Sequence, residues 1–227
     1  MKHITRTAAL VLMAAVLSVN ICADKFTPSV EQKEAPTIVA PKTEHKVDGK
    51  PALVVKDKKG EVIAADKVET VKVTPVSSFK KKAEDKKDDT KTTEPTEPLT
   101  KEEAAIQESL EKAYTEIVEA KSLDVIAPEL PNVMKDLKIE TKVEDLVVQD
   151  LINITLPEEM AKALEVEGNT IDMTFEMKIE EGKQLIVMVQ GADGKWVVIA
   201  GDAIVVNDDG TVTIAFNVVG NVAFVIA

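Results

Sequence analysis

The sequence is poor in the side chains that enzymes use for catalysis and metal binding. Arg6 is the only arginine, Cys22 the only cysteine, and His3 and His45 are the only histidines. One cysteine permits no disulfide within the chain, so stability must come from packing. No Ser/His/Asp set can be assembled around His45, and no phosphate-binding glycine motif or H-E-x-x-H zinc motif occurs. The composition predicts a protein that is not an enzyme and has no catalytic, cofactor or metal site.

Aromatic residues are also scarce, at 3% of 227 residues, although 44% of the chain is hydrophobic. Aliphatic side chains must therefore fill the core. Charge is distributed unevenly, because residues 101–227 contain 10 lysines and 25 acidic residues, a net charge of −15. Such a region repels nucleic acid and anionic lipid headgroups. The excess of acidic groups predicts a soluble surface, with attraction of basic partners or Ca²⁺ as the alternative.

Residues 1–23 have the pattern of a secretory signal peptide. A basic start precedes the 12-residue apolar run Ala8–Val19, and Ala23 is a small residue at the position of cleavage. The run is short for a membrane span, which needs about 20 residues. The segment predicts a secreted or cell-surface protein cleaved near Ala23. Lipidation at Cys22 and retention as an anchor are the alternatives, and they would be the only membrane contact.

Residues 24–100 are rich in Pro, Lys, Glu and Thr, which predicts a flexible polar linker. Within this linker, residues 51–79 are more apolar than their surroundings. Ala52–Val55 and Glu61–Ala64 are apolar runs that flank the turn sequence Asp57–Gly60, and alternating valines follow. This pattern predicts a hairpin and a third strand, a small three-stranded segment inside the linker.

An amphipathic helix is predicted over residues 101–121. Thr100 and Glu103 have the spacing of a capping box, and apolar residues then recur at helical spacing. We expect this helix to pack on its own sheet. Residues 123–137 continue the helical spacing but contain two prolines, which predicts a kinked or broken helix.

Two later stretches alternate with period two. Residues 143–156 predict a strand, although Asp150 falls on its apolar face and requires a bulge or an edge position. Residues 170–179 alternate most regularly, which predicts one buried and one wet face. Met173 and Met177 lie on the apolar side, where core packing is favoured over soft-metal binding.

Residues 183–227 alternate apolar runs with Gly, Asp and Asn clusters, which is typical of closely spaced antiparallel strands. Leu185–Val189 is apolar on both faces, so this strand is expected to be covered on both sides. The predicted fold is α+β and mainly β, with N-terminal helices packed on an antiparallel β-sandwich-like module over residues 101–227.

Four groups in this region invite chemical interpretations. Asn207–Gly210 lacks the ligand spacing of a calcium loop and is typical of a tight turn. Glu158-Glu159 and Glu180-Glu181 are paired acids, but neighbours in sequence do not establish carboxylates facing each other across a cleft. Trp196 follows a turn, where partial burial in the sheet is favoured over a ligand platform.

Three stretches carry a family resemblance. They are AYTEIVEAKSLDVIAPEL, VEDLVVQDLINITL and GKWVVIAGDAIVVNDDGTVTIAFNVVGNVAFVIA. Residues 101–227 resemble a module of exported and cell-surface proteins of anaerobic Gram-positive bacteria. The resemblance implies a secreted or surface setting and a β-sandwich-like fold, and it transfers no site residue. Many members have Ser-Pro where this chain has Gly220-Asn221. An L-P-x-T-G sorting signal is absent, so covalent anchoring to the wall is not expected.

These features predict a non-enzymatic structural, adhesive or partner-binding module. Its partner would be an unknown protein or glycan at the cell surface, with no nucleic acid involved. An accessory or carbohydrate-binding module is the alternative, and it would need aromatic platforms, of which the chain has few. A carboxylate-dependent hydrolase is less favoured, because it would need a facing pair of acids.

Overall fold

A computed structural model describes residues 36–39, 45–76, 99–177 and 179–227. The predicted signal peptide, 1–23, lies outside these residues, as do parts of the predicted linker. The strands are β1 Thr37–Val39, β2 Lys46–Val47, β3 Lys50–Lys56, β4 Val62–Lys67, β5 Lys72–Pro75, β6 Val147–Thr155, β7 Thr170–Glu176, β8 Leu185–Gln190, β9 Trp196–Ile199, β10 Ile204–Val206, β11 Thr211–Phe216 and β12 Asn221–Ile226. The α-helices of the described residues are α1 Lys101–Glu119, α2 Leu130–Asp136 and α3 Glu158–Leu164.

The strands form two sheets, and every strand pair is antiparallel. The seven-stranded sheet has the order β10-β11-β7-β3-β2, with β1 added beside β7 and β4 beside β3. The five-stranded sheet has the order β5-β6-β12-β8-β9. The protein is therefore a mixed α+β fold with more strand than helix, as its composition and periodicity predict.

Apolar side chains form two clusters, one on each side of the five-stranded sheet. The first cluster contains side chains from both sheets, including Phe175, Phe216 and Phe224. Phe175 meets both other rings edge to face, with centroids 6.0 Å and 5.4 Å away. The second cluster lies under α1 and α2. β8 is buried along its whole length, which confirms the prediction that Leu185–Val189 is covered on both faces.

Local patterns that the sequence predicts are present in the structure. Ile171, Met173 and Phe175 of β7 are fully buried and alternate with half-buried polar residues. In β6 the pairing with β12 shifts register beside Asp150, as the break in its apolar face predicts. The side chain of Thr100 accepts a hydrogen bond from the backbone N–H of Glu103, and the predicted capping box is complete.

The predicted broken helix is also confirmed. After α1, residues Leu123–Val125 form a short 3₁₀ segment, and α2 begins separately at Leu130 with a proline in its first turn. Proline has no N–H to donate and is tolerated at that position because the first helical N–H groups have no partner within the helix.

The prediction that the helices are N-terminal is wrong, because β1–β5 precede α1 in the chain. Strands of the 51–79 segment also belong to the two large sheets. β3 and β4 form the predicted hairpin, and β3 continues into the seven-stranded sheet by pairing with β7. The predicted third strand, β5, pairs instead with β6 of the other sheet. Alternation predicts a strand, but it does not identify a partner more than seventy residues away.

Candidate functional site

A row of aligned side chains crosses all five strands of the five-stranded sheet. Three of them, Asn153, Asn221 and Gln190, are only 8%, 2% and 5% exposed, and we call them the amide row. Asn169 is the one other buried polar residue in the part of the chain described. From β5 to β9, the strand register aligns Thr74, Asn153, Asn221, Gln190 and Trp196.

The amides of the row bond to one another. Asn153 Nδ2 donates to Asn221 Oδ1 at 2.9 Å, and Asn221 Nδ2 donates to Gln190 Oε1 at 3.0 Å. At one end, the Thr155 hydroxyl donates to Asn153 Oδ1 at 2.9 Å. Because buried amides are costly without partners, this chain of bonds favours one alignment of three strands.

Helix α1 bonds to the row at two points that lie seven residues apart. Asn221 Nδ2 donates to Ser109 Oγ at 2.9 Å. Glu116 Oε2 accepts from Gln190 Nε2 at 2.7 Å and from the Trp196 indole Nε1 at 3.1 Å. Seven residues are about two turns of helix, so both groups lie on the face that packs on the sheet. These bonds orient α1 along the row.

Gly220, the residue before Asn221, allows β12 and β8 to approach each other closely. Gly220 has φ +152°, and a Cβ there would lie 2.2 Å from the carbonyl oxygen of Gln190. Its own carbonyl accepts from the Ile154 N–H at 2.8 Å. A side chain at this position would push β12 away from β8. Gly220 therefore sets the approach that places Asn221 between Asn153 and Gln190.

Beside the row lies a cleft of about 380 Å³. The amide row forms part of its lining, together with residues of α1 and the connections around β8, β12 and α3. Glu102 lies at the cleft and pairs with Lys72 of β5 at 3.4 Å. The apolar side chains that line the cleft are Ala105, Ile106, Ile154, Leu156, Ala161, Ala192 and Val219.

The cleft combines apolar walls with amide and hydroxyl groups and the carboxylate of Glu102. Apolar walls with a few convergent polar groups are typical of binding sites. Amides and hydroxyls both donate and accept hydrogen bonds, but they carry no charge at neutral pH and are poor acids and bases. The cleft therefore presents apolar surface beside uncharged polar groups.

The residues that the sequence suggested as candidate sites lie outside the cleft or have structural roles. Asn207–Gly210 is the predicted tight turn, in which the Gly210 N–H donates to Asn207 O at 2.9 Å. Glu158 is 80% exposed and pairs with Lys162. Trp196 is 6% exposed and lies in β9, consistent with the burial expected of it.

Sequence reasoning missed the amide row. Its signal was weak: Asn153 interrupts an apolar run in β6, whereas Gln190 and Asn221 stand at strand ends beside turn residues. Each of these residues, considered alone, is typical of its place in the sequence and does not indicate a site. Only the register of β6, β12 and β8 brings the three together.

Within the described ranges, no three His, Cys, Asp or Glu side chains come together in a group that could hold a metal ion. None of the helices in those ranges is both long and apolar enough to cross a bilayer. Comparisons with protein-family models, curated proteins and solved structures found no match to the chain.

Proposed function

We propose that this protein is an exported, non-enzymatic module with a structural, adhesive or partner-binding role at the cell surface or outside the cell. The cleft beside the amide row carries the proposal. Its uncharged hydrogen-bonding groups and apolar walls favour binding over bond-making chemistry. Carboxylate-dependent hydrolysis needs two facing acids, and among the described residues Glu102 is the only carboxylate that lines the cleft.

The lining of the cleft favours a protein partner over a glycan. No aromatic ring is among the described residues that line it, so a sugar would find no ring on which to stack. A polypeptide could instead bind through apolar contact, because the amides of the row are buried and already bonded to one another and to α1. A polypeptide segment with small apolar side chains would fit between the walls.

A capture experiment tests the binding role. Ala105 lines the cleft and is exposed, so Ala105→Arg would fill the space without disturbing the core. Ala104 is also exposed, lies next to it on α1 and does not line the cleft, so Ala104→Arg is the matched control. We expect wild type and Ala104→Arg to retain the same protein from spent culture medium. Retention of that protein by Ala105→Arg would overturn the role of the cleft.

Export is tested separately. The basic start and apolar run of residues 1–23 support cleavage near Ala23. Mass spectrometry of protein collected from the medium should find an N-terminus near Asp24. An intact Met1 in the medium would contradict cleavage, and retention of all the protein inside the cells would contradict export.

A further inference from the structure

The edge strands of the two sheets differ in the apolar residues that they expose, and none of the exposed large apolar side chains of the described residues lies in β5 or β9. In the five-stranded sheet, the edge strand β9 has its Val198 N–H bonded to Glu129 Oε1 at 2.8 Å. The opposite edge strand, β5, is four residues long and ends in Pro75, which has no N–H. Side-chain caps and edge prolines are known ways to prevent a sheet edge from pairing with another chain.

The seven-stranded sheet has edge strands that expose apolar residues, although β10 has only three residues and the Lys67 N–H of β4 is bonded to Asp66 Oδ1 at 2.7 Å. In the described part of the chain, β10 pairs only with β11, and β4 pairs only with β3. Val205 and Val206 of β10 are 52% and 60% exposed, and Val62 and Ile63 of β4 are 43% and 47% exposed. These are four of the seven large apolar side chains that the described residues expose. Exposed apolar residues are therefore concentrated on two of the edge strands of one sheet.

The turns next to these edges carry opposite charges. β4 follows the turn 57–60, in which Lys58 and Lys59 are exposed and the Asp57 carboxylate accepts the N–H groups of Lys59 and Glu61, so the turn has a net charge of +1. β10 precedes the turn 207–210, in which Asp208 and Asp209 are exposed. In an antiparallel pair, the start of one strand lies beside the end of the other. Pairing β4 with β10 of another copy would bring the lysine turn beside the aspartate turn and align the exposed apolar pairs.

We propose that copies of this chain associate edge to edge, with β10 of one copy pairing antiparallel with β4 of the next. The contact joins two different surfaces, so each added copy leaves one β10 and one β4 edge available, and the assembly is open-ended. Because β10 has only three residues, each contact is weak. The inference goes beyond the proposed function and does not depend on a ligand in the cleft.

Sedimentation of the whole chain over a wide concentration range tests the apolar part of the contact. We expect the wild-type mass to rise beyond that of a dimer as concentration increases. Val205→Lys should abolish this rise, because a lysine on an edge strand opposes pairing. Val125, 63% exposed on the segment between α1 and α2, supplies the control: Val125→Lys should assemble like wild type.

Charge reversal tests the direction of the contact. Lys59 and Asp208 are chosen because Lys58 contacts Glu167 and Asp209 accepts from Thr211 within its own turn. Lys59→Asp and Asp208→Lys should each weaken association about two- to fivefold, the range of an exposed ion pair. The double variant Lys59→Asp/Asp208→Lys should recover it. A wild type that stays monomeric, equal loss in Val205→Lys and Val125→Lys, or a closed dimer unaffected by Lys59→Asp would each overturn the proposal.

Discussion

The two faces of the five-stranded sheet are buried against different kinds of surface. Toward the seven-stranded sheet, the β12 side chains Val222 and Phe224 enter an apolar cluster that both sheets share. Toward α1, Asn221 precedes Ala223 and Val225 on the same strand, and the amide row lies among apolar neighbours. One strand therefore supplies a dry face and a partly polar face.

The two faces of the sheet are expected to contribute differently to the free energy of folding and to the choice of strand register. Apolar burial contributes about 25 cal/mol per Å² and has no preferred direction, so many packings of similar volume satisfy it. A buried amide contributes little net free energy when bonded, but it costs about 1–3 kcal/mol when a partner is lost. We infer that the inter-sheet cluster supplies most of the stability, while the amide row selects one register of β6, β12 and β8 and one position of α1.

The largest loss of stability should come from a substitution in the apolar cluster between the two sheets. Phe175 is fully buried against two other rings, and Phe175→Ala should reduce the free energy of unfolding by about 3–5 kcal/mol. Urea denaturation measures this loss. Thr174 lies next to it on the outer face and bonds Thr213 at 2.9 Å, so Thr174→Ala should cost about 1 kcal/mol or less. Similar losses in the two variants would contradict the assignment of the core face.

Gly220→Ala should produce the next largest effect. It combines an unfavourable φ, which costs about 1–3 kcal/mol, with a Cβ placed against the Gln190 carbonyl. Gly194 has φ +77°, and no atom lies within 4 Å of the position that a Cβ would take there, so Gly194→Ala measures the cost of a positive φ without a steric clash. Gly220→Ala should have the lower melting temperature, because its φ of +152° is less accessible to alanine and its Cβ meets the Gln190 carbonyl. Equal melting temperatures would mean that β12 and β8 can separate without cost.

Asn221→Leu tests the amide row on the face of the five-stranded sheet that packs against α1. It should reduce the free energy of unfolding by about 1–3 kcal/mol, because the buried amides of Asn153 and Gln190 each lose a partner, as does the Ser109 hydroxyl. Asn217 is exposed, and Asn217→Leu is the matched control, expected to be close to wild type in urea denaturation. If Asn221→Leu were as stable as its control, the amide row would not select the register.

The smallest effect should come from the ion pair between Asp48 and Lys67, 2.8 Å apart at the surface. Their hydrogen bond, followed by their Coulomb attraction, lowers the pKa of Asp48 below 3.8 and raises the pKa of Lys67 above 10.5. The Asp48 contribution is complete above pH 3.8 and is lost as pH falls through its lowered pKa. The Lys67 contribution is complete below pH 10.5 and is lost as pH rises through its raised pKa.

Asp48→Asn should therefore lower the urea midpoint slightly at neutral pH and not at all in strong acid. Asparagine tolerates the positive φ of 50° at this position, so the turn is preserved. A difference from wild type that persists below the lowered pKa would show that the turn, and not the ion pair, had changed.

Much of the local structure could be predicted because its signals are local. The alternation in β7, the capping box of α1 and the turn Asn207–Gly210 each depend on residues within a few positions of one another. The partners of β3 and β5 could not be predicted, because both strands lie before α1 and pair with strands far along the chain. Pairing over such distances depends on which faces remain available after the rest has packed.

The sequence by itself determined most of the helices and strands, though not β1 and β2. It also determined which faces are apolar and how much acidic charge the chain carries. These properties follow from side-chain spacing and count. Only the tertiary structure decided that the first strands join both sheets and that three ordinary amides form one row. It also decided that exposed apolar residues and turns of opposite charge lie at two of the edge strands of the seven-stranded sheet. Each of these depends on strand register and order, which are set by the mutual packing of distant segments.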